Sequence, residues 1–311
     1  MSKLSFAIPS KGRLKENTEA WLGRCGFKLR QLGGGRGYRA ELSGMADVDV
    51  MLLSAREIAE ELISGGLHIG VTGEDLVHDL SRDVASDVHV LQALGFGNAD
   101  VVVAVPTAWI DVDTMSDLEA AGAQFRQRHG RRLRVATKYL RLTRRFFAAK
   151  AVGEYRLVES AGATEAAPAA GSADLIVDIT TTGATLRAND LKILADGVML
   201  KSQAALTGSK RADWNDESLT TLRVLLDRFA AQNAALRQKK IDTGADVSED
   251  MATQLGVIRL DSRTLICPDS KAADVARALA EIGCEPVVIT TVQQMFEAEN
   301  PIYQEFVAQM S

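Results

Sequence analysis

The stretch from Ala173 to Leu191, ADLIVDITTTGATLRANDL, constrains the chain more than any other: an apolar run breaks into a hydroxyl-rich turn with one glycine and resumes as a helix. Leu175, Ile176, Val177 and Ile179 predict a buried strand. Gly183 lets the backbone turn tightly, and Thr180, Thr181, Thr182 and Thr185 set hydroxyls beside the N–H groups of a helix start. That is the chemistry of a phosphate cradle. Asp178, just before the turn, can accept hydrogen bonds from hydroxyls, so strand, acid and cradle together suit a sugar phosphate better than a bare phosphate. The same pattern also describes a polar strand-to-helix turn with a Thr N-cap, and the local residues alone leave both readings open.

Strand-to-helix turns of this kind recur along the chain. Leu4 to Ile8 predicts a first strand, Pro9 to Arg13 a loop, and Leu14, Thr18, Trp21, Leu22 and Cys25 a helix ended by Gly26. Lys11 and Arg13 then stand at the carboxyl end of a parallel strand, where open α/β sheets bind ligands; either they neutralise a polyphosphate or they are solvated charges. The segment Gly33 to Gly44 reads as a surface hairpin, with Arg36, Tyr38 and Arg39 as the residues that could touch a ligand. Val48 to Leu53, Leu67 to Val71, Val88 to Gly97 and Ala99 to Val105 predict further strands, with helices at Ala55 to Ile63 and Trp109 to Ala120. Glu74 and Asp75 open a helix after a second glycine turn, where the helix dipole alone accommodates them. Leu133 to Ala136 runs into Thr137 and Lys138, a second phosphate-facing loop, and the arginines of the next helix (Arg141, Arg144, Arg145) read as a solvated face. Tyr155 to Val158 is one more strand, and Gly197 to Leu206 the strand that returns the chain to the first unit.

This alternation predicts an α/β fold of two doubly wound lobes with a cleft between them. The balance of 36 Lys+Arg against 41 Asp+Glu, net charge −5, argues against a general binder of nucleic acid or of anionic membranes. Cys25, Cys267 and Cys284 are scattered and the four histidines have no metal spacing, so neither a disulfide framework, a metal cage nor a Ser-His-Asp triad is expected. His68 alternates with apolar neighbours and reads as a packed strand residue. No run reaches the ~18 apolar residues of a membrane span, and no cleavable apolar segment follows Met1; the expectation is a reduced, cytoplasmic protein.

Five motifs, in this order, resemble those of the ATP phosphoribosyltransferase family, which opens histidine biosynthesis: Pro9 to Leu14 (PSKGRL), Gly70 to Asp75 (GVTGED), Arg134 to Tyr139 (RVATKY), Glu159 to Glu165 (ESAGATE) and Ala173 to Leu191. The resemblance covers about residues 4 to 210. It implies two lobes arranged like type II periplasmic binding proteins, and transfer of the phosphoribosyl group of phosphoribosyl pyrophosphate to N1 of ATP with Mg2+ and release of pyrophosphate. Carried over by position, it implies that Thr181, Thr182, Gly183, Ala184 and Thr185 hold the 5′-phosphate, with Thr180 beside them as a further substrate-binding residue, that Asp178 sits near the ribose hydroxyls, and that Lys11 and Arg13 face pyrophosphate or ATP phosphates. Lys138, Glu74, Glu159 and Glu165 fall in substrate-binding loops, and no side chain is expected as a dedicated metal ligand. A homo-oligomer, dimer or larger, is the family expectation, and an accessory regulatory subunit is compatible with it. Such chemistry needs positioning, cations and a metal more than a covalent nucleophile, which agrees with the missing triad.

The expected organisation is lobe I at 1–104 and 195–240, lobe II with the phosphoribosyl pyrophosphate loop at 105–194, and a small C-terminal α+β (ββαβ, ferredoxin-like) module, regulatory or interfacial, at 251–311. Leu219 to Leu236 predicts a long amphipathic helix, and the polar run Arg237 to Asp250 a linker. Leu255 to Leu260, Thr264 to Cys267 and Pro286 to Val292 predict strands, with Ser270 capping the helix between the last two. Two rival functions share parts of this pattern: a two-lobed small-molecule binding or sensing protein, and a phosphoribosyltransferase for a free nucleobase.

Overall fold

The computed structural model describes residues 3–33, 37–160 and 162–310. Strand β1 (Leu4–Pro9) leads into α1 (Gly12–Arg24), and the hairpin of β2 (Leu29–Gln31) and β3 (Arg39–Leu42) precedes β4 (Val48–Leu53), α2 (Ala55–Ser64), β5 (Ile69–Gly73) and α3 (Glu74–Leu80). A short α4 (Val84–Asp87) and β6 (Val88–Ala93) complete the first pass. The chain then crosses to β7 (Ala99–Pro106), α5 (Met115–His129), β8 (Leu133–Thr137), α6 (Leu140–Ala149), β9 (Tyr155–Glu159), β10 (Leu175–Thr180), α7 (Ala184–Ala188) and β11 (Leu191–Ser202), and returns as β12 (Ala204–Ser209) and α8 (Asp216–Ala235).

Two sheets result, of order β2-β3-β4-β1-β5-β12-β6 and β11-β7-β10-β8-β9. In the first, β4, β1 and β5 run parallel; in the second, β10, β8 and β9 do. Both sheets are covered on both faces, and the alternation of side chains shows it. Leu4, Phe6 and Ile8 enter a core with Trp21, Phe27 and Phe229, whereas Ala7 between them packs with Ile58 and Leu62 of α2. Val101, Val103 and Val105 of β7 face Val135 and Val177, while Val102 and Ala104 face the other way with Ile176 and Leu186. Trp21 lies 4.4 Å from Phe229, ring centroid to ring centroid, anchoring α1 to α8.

The crossing between the sheets positions everything that follows. The residues after β6 and the β11–β12 junction run side by side, with Leu94 N–H donating to Ala204 O and Ala204 N–H to Phe96 O. The expected strand Gly197 to Leu206 is therefore two strands: Gly197 to Ser202 pairs with β7 in the second sheet, Ala204 onward with β5 in the first, and Gln203 at the break accepts from Glu74 N–H. The polar residues Lys201, Ser202 and Gln203 mark the break, but with no glycine or proline among them the sequence also fits one continuous strand. The helix expected at Trp109 to Ala120 starts instead at Met115, since Thr114 and Asp117 form a reciprocal capping box and Trp109 to Asp113 form a turn.

The supposed linker holds the central strand of a third sheet. Strand β13 (Gln238–Thr243) is followed by α9 (Glu249–Leu255), β14 (Ile258–Arg259), β15 (Thr264–Pro268), α10 (Ala272–Glu281) and β16 (Val287–Thr291), in the order β14-β15-β13-β16. QKKIDT looks polar because Ile241 is its only large apolar residue, yet Ile241 is wholly buried among Leu265, Val275 and Leu279. Ser270 does not cap α10; it lies in a 3-10 turn, and Ser248 caps α9 instead. Residues beyond β16 return to the first sheet: Gln294 Nε2 donates to Cys25 O at 2.9 Å, and Phe306 of α11 (Pro301–Met310) is buried against Trp214. The stretch expected as one module, 251–311, thus ends on the first core.

Away from the cleft, Asp174 ties β8 to the start of β10. Arg131 donates to it at 2.6 Å, and Arg134 donates through its backbone N–H at 2.8 Å. Burial opposes ionisation, but the hydrogen bonds from Arg131 and Arg134 outweigh it and hold the carboxyl at about 2. A depressed folded-state value contributes stability above the ordinary value, lost as pH falls toward the folded one. Asp174→Asn should therefore cost about 2 kcal/mol near neutral pH, with the gap from wild type closing between about pH 4 and pH 2. Urea unfolding at three pH values checks this; a gap unchanged at low pH would contradict it.

Candidate functional site

At the carboxyl ends of β8, β9 and β10, Thr137, Glu159 and Thr180 stand at one edge of the second sheet. The turn after β10 is shaped by its own hydroxyls. Thr180 Oγ1 accepts from Gly183 N–H at 2.9 Å, Thr182 Oγ1 accepts from Ala184 N–H at 3.3 Å, and Thr181 Oγ1 donates to Asn98 O in the crossing at 3.3 Å. Gly183 has φ of +69°, the left-handed region that favours glycine. The N–H groups of Thr185 and Leu186, in the first turn of α7, have no acceptor within a helix. Thr181, Thr182, Ala184 and Thr185 are exposed, so this donor-rich turn faces solvent.

Beside the turn lies a group of charged side chains drawn from three segments. Burial raises the Asp178 carboxyl; Ile179 N–H, donating at 2.8 Å, and the charge of Lys138 oppose the rise, while Glu165 adds to it. Lys138 Nζ sits over the Tyr139 ring, 4.9 Å from its centroid. Lys138 and Glu165 are therefore both within reach of the Asp178 charge. Glu74 opens α3 across the crossing, its carboxyl raised by burial and then by Asp75. Glu159 ends the edge strand β9 and is exposed, two strands from Asp178.

Lys11 and Arg13 occupy the start of α1 at the carboxyl end of β1, both exposed. Lys11 is close enough to act on Glu57 in the first turn of α2. Leu14, one residue past Arg13, approaches Gly97 in the crossing. The α1 start and the threonine turn thus lie against the same crossing from opposite lobes, while no hydrogen bond or ion pair among the described residues joins Lys11 or Arg13 to the turn. Of the hairpin residues, Tyr38 is exposed, Arg39 pairs with Asp49, and Arg36 lies outside the described residues, as does Ala161 within the Glu159 to Glu165 loop. His68 is a packed residue, hydrogen-bonded to Ser5 and stacked edge-on to Trp214.

Sequence reasoning missed the polar links beneath this site. Asp75, 6% exposed, accepts from Tyr139 Oη at 2.6 Å and from Ser202 Oγ at 3.0 Å. Asp79, 4% exposed, accepts from the N–H groups of Arg141 and Leu142. The arginines read as a solvated face also reach across: Arg141 donates to Leu80 O and Arg145 to His78 O. The one available signal was the four-residue spacing of Asp75 and Asp79, which puts both carboxylates on one helix face.

With this geometry in hand, the similarities to known proteins fall into place. The model of the ATP phosphoribosyltransferase (HisG) family matches residues 54–231. A Caulobacter vibrioides protein named ATP phosphoribosyltransferase is 52% identical over 308 residues, covering 97% of this chain and 96% of its own. One from Rhodopseudomonas palustris is 48% identical over 310 residues, covering 96% and 95%. Among solved structures, the ATP phosphoribosyl transferase (HisG:HisZ) complex from Thermotoga maritima aligns with a TM-score of 0.54 at 24% identity, covering 73% of this chain and 98% of that one, a likeness of fold. The two-lobed α/β architecture, the family model over more than half the chain and relatives matching nearly end to end make this chain a member of the ATP phosphoribosyltransferase family.

Proposed function

We propose that the chain joins the phosphoribosyl group of phosphoribosyl pyrophosphate to N1 of ATP, yielding phosphoribosyl-ATP and pyrophosphate, the first step of histidine biosynthesis. Family membership supports the reaction, and the observation that carries the site assignment is the donor-rich turn from Thr180 to Thr185 beside a half-buried Asp178. In this reading the turn holds the 5′-phosphate through the N–H groups of Thr185 and Leu186 and the outward hydroxyls. Asp178 accepts from the ribose hydroxyls and orients the ring. Displacement at the anomeric carbon builds positive charge on the ribose and negative charge on the departing pyrophosphate. Asp178 faces the first; Lys138, Lys11 and Arg13 offset the second, and Glu74, Glu159 and Glu165 line the approach to ATP.

The donor set suits magnesium carried by substrate. Among the described residues no three His, Cys, Asp or Glu side chains form a group that could cage a metal ion, and Mg2+ is characteristically held by one or two carboxylates plus phosphate oxygens. Asp178 and Glu165 are the carboxylates placed to share it. When bound, the ion supplies neutralisation of pyrophosphate charge. No helix among the described residues is long and apolar enough to cross a membrane, in keeping with an enzyme working in the cytoplasm on diffusible substrates, as a homo-oligomer and with or without an accessory subunit.

Incubating the purified chain with ATP, phosphoribosyl pyrophosphate and Mg2+ should yield phosphoribosyl-ATP and pyrophosphate, detected by mass spectrometry; no turnover, alone or with an accessory subunit, would contradict the reading. Free adenine in place of ATP should not be consumed. Thr185→Ala and Gly183→Val should raise KM for phosphoribosyl pyrophosphate by about tenfold or more, the worth of one hydrogen bond to a charged group, and an unchanged KM would remove the turn from the site.

If Asp178 works ionised, kcat/KM falls as acid protonates it, at a pH above the ordinary aspartate range because burial raises its value. Lys138→Met deletes an opposing positive charge and should move this acid limb upward; Glu165→Gln deletes a negative charge and should move it downward. Comparison with wild type cancels the ionisation of substrate phosphates. Limbs that stay put, or move together, would dissociate Asp178 from the profile.

A further inference from the structure

The N-terminus of α6 is capped from the other lobe. Its N-cap residue is Tyr139, which makes no capping hydrogen bond through its side chain, and the orphan N–H groups of a helix start require acceptors when buried. Asp79 of α3 supplies one, accepting from Arg141 N–H at 3.0 Å and Leu142 N–H at 2.9 Å. One turn earlier on α3, Asp75 accepts from the hydroxyl of Tyr139 itself, and its own N–H donates to Ser202 Oγ at the end of β11. Tyr139 is fully buried. Leu76, between the two aspartates, packs against the cores of both lobes.

Two lobes joined by a pair of crossing segments ordinarily hinge. Here the hinge side is closed by carboxylates that have no water to turn to, and removing a partner from a buried charged group is costly. Lys138 is the residue before Tyr139, so whatever fixes Tyr139 fixes the backbone from which Lys138 reaches toward Asp178.

We propose that Asp75 and Asp79 are positioning residues for phosphoribosyl transfer: acting together as a cross-lobe clamp on α6, they hold the two lobes at one separation before substrate binds and set Lys138 beside Asp178. The part concerning Lys138 rests on the phosphoribosyl-transfer reading; the clamp itself does not. Neither aspartate touches substrate. Releasing the clamp lets the lobes separate, so only a fraction of molecules is competent to bind, and apparent affinity drops by that fraction while saturated turnover is kept.

The test uses the full chain carrying spin labels at Glu60→Cys on α2 and Gln127→Cys on α5, both exposed positions, with the native cysteines buried. Pulsed electron–electron resonance on the wild-type background should give one narrow distance distribution, unmoved by phosphoribosyl pyrophosphate and Mg2+. Tyr139→Phe and Asp79→Ala should broaden it, with substrate narrowing it again, and should raise KM for phosphoribosyl pyrophosphate about tenfold with kcat changed less than about threefold. Asp75→Asn, which keeps an acceptor for the tyrosine hydroxyl, should stay near wild type in both readouts, and Asp75→Ala combined with Tyr139→Phe should be little worse than either alone. A broad distribution in wild type, or Tyr139→Phe and Asp79→Ala indistinguishable from it, would overturn the clamp; broadening with KM unmoved would overturn the positioning role. A wild-type chain without turnover would defeat the phosphoribosyl-transfer reading and leave the distances to decide the clamp.

Discussion

Burying a carboxylate is tolerable only where donors surround it, and in this protein two such carboxylates, on one face of α3, find their donors on the opposite lobe. Asp75 and Asp79 meet the tyrosine hydroxyl and the uncapped amides of α6. That meeting determines where the carboxyl ends of the two sheets stand relative to one another. It sits directly under the crossing of β6–β7 and β11–β12, so the same few residues support the backbone junction and the polar contact between lobes. The apolar cores above and below stabilise each lobe, but they would do so at many lobe separations; the directional hydrogen bonds select one.

The site follows from that frame. In the proposed site the second sheet delivers a donor-rich turn and Asp178 side by side, the first delivers Lys11 and Arg13, and the α1 start and the turn both lie against the crossing. Nothing in this arrangement resembles an activated nucleophile with a neighbouring base. Instead donors, cations and acids are distributed around an open space, as displacement at a sugar carbon with a polyanionic leaving group demands. Burial raises the Asp178 carboxyl against the opposing pull of the Ile179 N–H and the Lys138 charge.

Much of this was readable before any coordinates. The glycine and threonines after β10 announce a turn with donors because only a few residue types tolerate its backbone and supply its hydroxyls, and the alternating strands and helices follow from apolar periodicity. Three features were hidden, each for its own reason. The run from Gly197 to Leu206 carries its polar residues, Lys201 to Gln203, where the chain passes from one sheet to the other, but three polar residues without a glycine or proline also fit an unbroken strand. Strand β13 is concealed because a strand at the centre of a small sheet needs just one large apolar residue, Ile241, to join the core. The clamp was hidden because its partners lie 62 to 64 residues apart: Asp75, at the start of α3, looks satisfied by the dipole of its own helix, and nothing local shows that Asp79, in the last turn, caps a different helix.

On this reading the two lobes are held in place before substrate arrives, with the threonine turn as the phosphate site. A crystal structure with phosphoribosyl pyrophosphate and Mg2+ bound tests it most directly. The 5′-phosphate should lie on the turn from Thr181 to Thr185 and the ribose hydroxyls at Asp178, with the Tyr139–Asp75 and α6–Asp79 hydrogen bonds intact. A phosphate seated elsewhere, or lobes rotated with those bonds broken, would contradict it.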